Sequence, residues 1–212
     1  YEISKQEGTL TVTNREAKYE ITVKANSATA TYDGKEHEAV GVETYEFTVE
    51  GNSYTVSGLS TEDPKQKDAG SYTNNITGTP VVTDKEGNVV TSEFEVKTEN
   101  GSLEIGKAAV TLKSATLSKK YDGNALVNGD TALEIESGFA EGEGATYNFT
   151  GSQTVVGSSA NAFSYELNGN TNIDNYEISK QEGTLTVTNR EAKYEITVKA
   201  NSATATYDGK EH

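Results

Sequence analysis

The chain has 212 residues, a formal net charge of −15, 33% hydrophobic and 24% charged residues, and no Cys, Met or Trp. Its carboxylate surplus excludes a nucleic-acid groove, which needs clustered Lys and Arg, and an anionic membrane surface would repel it, while no apolar run approaches the ~20 residues that cross a bilayer as a helix. Without Cys, stability must come from packing and strand pairing, and with no Met present the chain is expected to be a segment of a longer polypeptide.

Period-two alternation of apolar and polar residues, the mark of half-buried strands, runs through the sequence. Leu10 and Val12 alternate with Thr9, Thr11 and Thr13. In Tyr19–Ala25 the residues Tyr19, Ile21, Val23 and Ala25 share one face, and Tyr45, Phe47 and Val49 repeat the pattern. Gly51-Asn52 predicts a turn before Tyr54–Val56, because both residues tolerate positive φ. A short helical turn is expected over Thr61–Lys67, limited by Pro64. Pro80 cannot donate to a ladder and so predicts an edge strand. Asp84–Asn88 then links Val81-Val82 to Val89-Val90 as a longer hairpin. Phe94 and Val96 precede Leu103 and Ile105, with Asn100-Gly101 as the predicted hairpin turn between them. Val110 and Leu112 open the next strand.

Repeats organise these elements. Tyr1–His37 and Tyr176–His212 are identical, at an offset of 175. Within that unit, Ser27-Ala28-Thr29 recurs as Ser114-Ala115-Thr116 and Ser202-Ala203-Thr204. Tyr32-Asp33-Gly34 recurs as Tyr121-Asp122-Gly123 and Tyr207-Asp208-Gly209, and Phe94–Ile105 aligns without gaps on Tyr176–Val187. The division that follows is 1–16 as the closing strands of a preceding B module, 17–107 as module A, 108–191 as module B, and 192–212 as the start of another A. Each Tyr-Asp-Gly triplet predicts a turn in which Asp bonds its own backbone, Gly supplies the open φ and Tyr packs below. The end segments are expected to pair with a neighbouring chain or to continue the two modules, since orphan strands seek edges.

A strand, Tyr-x-Gly, Gly70-Ser71-Tyr72, and the closing run Asn175-Tyr176-Glu177-Ile178 with Gly183–Val187 together resemble the mostly-β-grasp (MBG) and YDG-type modules of bacterial cell-surface adhesins. In module B the matching residues are Tyr121-Asp122-Gly123 and Ser164-Tyr165. Module A departs with Glu93-Phe94 in place of Asn175-Tyr176, and B has Phe163 beside Ser164. The resemblance implies a mainly β chain of two related, elongated, β-grasp-like or sandwich-like modules. It implies an extracellular stalk segment, wall-anchored or secreted, that extends a distal binding domain from the cell and packs on neighbouring repeats of the same chain. The alternative is that each repeat binds a host glycan, mucin or immunoglobulin weakly and the array supplies avidity.

Candidate chemistry is sparse. The two His, His37 and His212, occupy one repeat position, and no Cys nucleophile accompanies them, so no enzyme is expected. No cofactor is predicted; calcium is the one ion that Asn168, Asn170, Asp174, Glu62, Asp63 and Asp68 would suit, although no EF-hand or RTX spacing is present. A Lys–Asn isopeptide crosslink is compatible with the composition without being assigned to any pair. The distance from Tyr72 to Phe94 exceeds that from Tyr165 to Tyr176 by 11 positions, which places an insertion in module A. Loops tolerate insertion well, but this hairpin is also the candidate ligand contact, through Pro80, Val82, Asp84, Lys85, Glu86, Asn88 and Val90.

Overall fold

The computed structural model describes residues 1–13, 16–129 and 132–211. The chain is mainly β, and among the described residues the only helical turns are two 3-10 turns, Thr91–Glu93 and Ile173–Asn175. The first strands are β1 (Tyr19–Lys24), β2 (Ala28–Thr31), β3 (His37–Glu38), β4 (Glu46–Val49) and β5 (Asn52–Thr61). They are followed by β6 (Lys65–Gln66), β7 (Gly70–Asn74), β8 (Ile76–Asp84), β9 (Phe94–Glu99) and β10 (Gly101–Gly106). Next come β11 (Ala108–Lys113), β12 (Leu117–Lys120), β13 (Leu126–Val127), β14 (Ile135–Ser137) and β15 (Ala145–Phe149). The last are β16 (Ser152–Gln153), β17 (Gly157–Ala160), β18 (Phe163–Leu167), β19 (Tyr176–Gln181) and β20 (Thr184–Thr188).

The alternation read from the sequence becomes burial. Ile21, Val23, Leu103, Ile105, Val110 and Leu112 are all buried, and the polar residues between them face outward or sit at the rim. The pairing is where sequence and structure part. β9 and β10 do not form a hairpin. β9 lies parallel to β1, with Tyr19 opposite Phe94, while β10 lies parallel to β2 and antiparallel to β7. Asn100-Gly101 is therefore a crossing between two sheets. Gly101 is required there by close approach: a Cβ would stand 2.1 Å from the Asn26 carbonyl oxygen.

The same pairings recur in the second set of strands. β11 is parallel to β19, β12 is parallel to β20, and β17 is antiparallel to β20. β13 pairs with β16 as β3 does with β6, and β15 with β18 as β5 does with β8. Gly183 meets the Ala115 carbonyl oxygen as Gly101 meets that of Asn26, at 2.3 Å from a built Cβ. β14 differs, pairing with β11, whereas β4 joins β5.

These ladders correct three sequence alignments. Ser27 accepts from the Ser102 amide, and the residue that accepts from the equivalent Thr184 amide is Thr116, not Ser114. Ser114 is a buried hydroxyl two positions earlier, donating to the Asn161 carbonyl. Gly70-Ser71-Tyr72 corresponds to Gly157-Ser158-Ser159, since Tyr72 opposes Leu103 and Ser159 opposes Leu185; Tyr165 opposes Tyr147 on another strand pair. The insertion in the first half then shrinks. Buried Asn74 and Asn161 hold equivalent places, and the 20 positions from Asn74 to Phe94 compare with 15 from Asn161 to Tyr176, so five residues are extra. Short polar triplets match by composition, whereas a one-residue slip in a ladder turns every side chain to the wrong face.

The turns need two further corrections. The β4–β5 hairpin closes on Glu50 and Gly51, with φ of 48° and 81°, and Asn52 already opposes Val49. Thr61–Lys67 is not helical: β5 ends at Thr61 and β6 begins at Lys65. The helical turns sit instead just before β9 and β19, and in the second Asn172 Oδ1 caps the Asp174 amide at 3.0 Å.

The end segments show how far context decides conformation. Tyr176–Gln181 and Thr184–Thr188 are strands β19 and β20, yet the identical residues 1–13 form no strand and are exposed. Tyr19–Lys24 is strand β1, yet the identical 194–199 is unpaired and exposed. The ends do not continue the sheets of the two modules among the described residues. An extended segment forms a strand only where a partner satisfies its backbone; β1 has β9 and β19 has β11, and 1–13 and 194–199 have no such partner strand among the described residues.

Candidate functional site: the junction between the two sets of strands

No strand ladder joins β1–β10 to β11–β20 among the described residues, but one buried cluster does. Tyr32, Ala39, Leu103 and Ile105 pack with Ala108, Val110, Leu112, Phe163 and Tyr176. Tyr32 meets Tyr176 edge to face at 5.3 Å between ring centroids, and Phe139 meets Tyr176 at 5.2 Å. Such pairs add about 0.5–1.5 kcal/mol each to the burial of their apolar surface.

The Tyr-Asp-Gly turn delivers Tyr32 to this cluster. Asp33 Oδ1 accepts the Lys35 amide at 2.9 Å, Gly34 takes φ of 80°, and Tyr32 is buried as expected. The same turn forms at Asp122-Gly123 and Asp208-Gly209, but the expected packing of the tyrosine does not follow there: Tyr121 is only half-buried and Tyr207 is exposed. Backbone donation, followed by the His37 ring, holds the Asp33 carboxyl below its ordinary range; at Asp122 the Lys119 ammonium is the larger cause.

Polar groups clamp the rim of the cluster. Glu143, with its side chain only 7% exposed, accepts from the Tyr32 phenol at 2.6 Å and the Tyr176 phenol at 2.7 Å. The Ala140 amide donates to the Tyr176 oxygen, and Lys67 Nζ stands 3.8 Å from the carboxylate. Burial and then the Glu143 carboxylate push the Tyr32 phenol well above its ordinary value of 10.0. Burial is also the largest cause at Tyr176, whose phenol is raised too. Alongside, buried Asn175 accepts from the Ala69 amide at 2.8 Å and donates to Asp68 Oδ1 at 2.8 Å. Through the Tyr32 phenol and Lys67 on one side and the Tyr176 phenol on the other, the Glu143 carboxylate ties the two halves together.

The residues singled out in the sequence are scattered. Val82 is fully buried and Val90 half-buried against the first-half core, Pro80 is half-buried, and the tip Asp84–Asn88 carries the exposed Lys85, Glu86 and Asn88. Asp84 orders that tip by accepting the Glu86 and Asn88 amides and the Asn88 side chain, which together hold its carboxyl below its ordinary range. β8 is the last strand of its sheet, as Pro80 implied, and the chain folds back on it as the predicted hairpin: Thr83 bridges Val89, the Asp84 amide donates to the Asn88 carbonyl, and the Val90 amide donates to the Val82 carbonyl. Among the calcium candidates, Asp63 is taken by the Gly41 amide and Thr61, Glu62 by Asn75, Asp68 by Asn175, and Asn170 by the Gly142 carbonyl. Among the described residues no group of three or more His, Cys, Asp or Glu is placed to share a metal. His37 bonds Asp33 at 2.9 Å within its own turn, and His212 lies outside the described residues.

Sequence reasoning found Tyr32 but missed Glu143, Asn175 and Asp68 as partners. The signal was weak: Glu143 is one of 33 acidic residues, and only its burial sets it apart. Comparison with family models, with curated proteins and with solved structures gave no match.

Proposed function

We propose that the chain is a stalk segment of a bacterial cell-surface adhesin, in which two related modules, 17–107 and 108–191, alternate and extend a distal binding domain from the cell. The observation that carries this reading is the junction: the second set of strands repeats the pairing of the first, and the two are joined by one buried cluster rather than a free linker. Parallel pairing of the first two strands of each module with two late ones favours the grasp-like form over a simple sandwich. The 175-residue identity extends the argument from two modules to a quasi-one-dimensional array, where added copies add length. The negative charge keeps such an exposed array soluble. The stalk is not an enzyme, and its partners are its own neighbouring repeats.

Small-angle scattering tests this. A compact globule of this length has a radius of gyration of about 17 Å; the stalk reading expects a clearly larger value and an elongated distance distribution. The second reading, a weak host-glycan or host-protein binding module acting by avidity, draws on the exposed Asp84–Asn88 tip, the five-residue feature special to the first half. It expects glycan-array or host-protein binding that disappears when 84–88 is deleted.

A further inference from the structure

The junction has a counterpart at the other end of β11–β20 that no strand covers among the described residues. The ladders equate Tyr32 with Tyr121, Gly34 with Gly123, Asp68 with Val155 and Ala69 with Val156. In the first half these positions are the junction. Tyr32 is buried, a Cβ on Gly34 would lie 3.0 Å from Ala140, and Asp68 and Ala69 bond Asn175. In the second half the same positions are open. Tyr121 is half-buried, nothing lies within 4 Å of a Cβ on Gly123, and Val155 and Val156 are 66% and 48% exposed.

We infer that Tyr121, Gly123, Val155 and Val156 form a docking surface for a following copy of residues 17–107, of which 192–212 carry the first part. This rests on the stalk reading and deepens it by naming the second type of junction. Two observations fix the occupant. The first is a matched exchange of residues. The 3-10 turns before β9 and β19 place Glu93 where Asn175 stands. Asn175 donates to Asp68; a Glu in its place has no amide to donate and would face a like charge. At the uncovered surface Asp68 is replaced by Val155, so a copy presenting Glu93 meets no carboxylate, and its oxygen still finds the Val156 amide as Asn175 finds that of Ala69. The second is proximity. Tyr194, the copy of Tyr19, already lines a shallow depression with Tyr121 and Val156, its ring 3.9 Å from the Arg190 guanidinium. Tyr19 in turn is equivalent to Ala108, a member of the junction cluster.

The test extends the whole chain by appending a copy of residues 38–107 after His212, completing the second copy, and reads amide hydrogen exchange at two protein concentrations. Docking predicts that amides in 121–127 and 155–158 slow at least tenfold relative to the 212-residue chain, independent of concentration, and that 194–199 becomes protected. Val155→Asp in the extended chain should remove the slowing at 155–158, and Glu93→Asn in the appended copy should restore it by recreating the Asp–Asn pair. In the unextended chain V155D should leave the thermal midpoint unchanged. The inference is overturned if the surface exchanges as before while 194–199 folds, or if the copy gains no protection. Protection that grows with concentration would assign the surface to a second chain and overturn it equally. An elongated particle with an unprotected surface would refute the docking and spare the stalk.

Discussion

At the residue scale the account rests on Glu143 and the two phenols it holds. Because both phenols are raised above 10.0, the folded chain favours their neutral form. Their contribution is therefore complete below that value and is lost as pH rises past it. The double variant Tyr32→Phe, Tyr176→Phe should cost about 1–3 kcal/mol at pH 7, because it strands a buried carboxylate. It should also show a shallower loss of stability than the parent above about pH 10, where only the parent has these phenols to ionise. Chemical denaturation across pH 7 to 11.5 reads both effects; equal slopes in parent and variant would show that Glu143 does not hold these groups. Glycines make a second residue-scale case. Gly183→Ala would drive a methyl into the Ala115 backbone oxygen and should cost about 3 kcal/mol or more, whereas Gly123→Ala, with open space around it, pays only for its φ of 87°. A midpoint shift no larger at Gly183 than at Gly123 would sink the close-approach explanation.

At the element scale, identical residues form a strand or not according to whether a partner is present. Hydrogen exchange should protect the amides of Ile21 and Val23 strongly and leave those of Ile196 and Val198 near the unfolded rate, although the local sequences are the same. Equal protection would mean that local propensity, not pairing with β9, makes β1. This is also the measure of what the sequence reveals. Which side of each strand is buried was legible, because the period of two is local: Tyr19–Ala25 and Leu103–Ile105 face inward as their alternation implies. Which strands pair was not, because parallel partners lie far apart in sequence and leave no local mark. Asn100-Gly101 looks like a hairpin turn until β10 is seen to pair with β2 and β7. Of the junction, Tyr32 was visible through its repeated triplet; Glu143 and Asn175 became visible only when burial and partners were known.

At the scale of the whole molecule, the shared cluster makes the two halves one cooperative unit. Calorimetry should show a single transition for the chain, and Glu143→Ala with Tyr176→Ala should split it into two, since each half keeps its own ladders when the clamp is removed. Two transitions in the unmodified chain would mean that the junction couples nothing. The stalk itself is tested most directly by scattering on chains carrying one, two and three copies of the 175-residue unit. Rigid junctions predict a maximum dimension that rises by a constant step with each copy. Growth as the square root of copy number, as for beads on flexible linkers, or the slow increase of a compact globule, would contradict it.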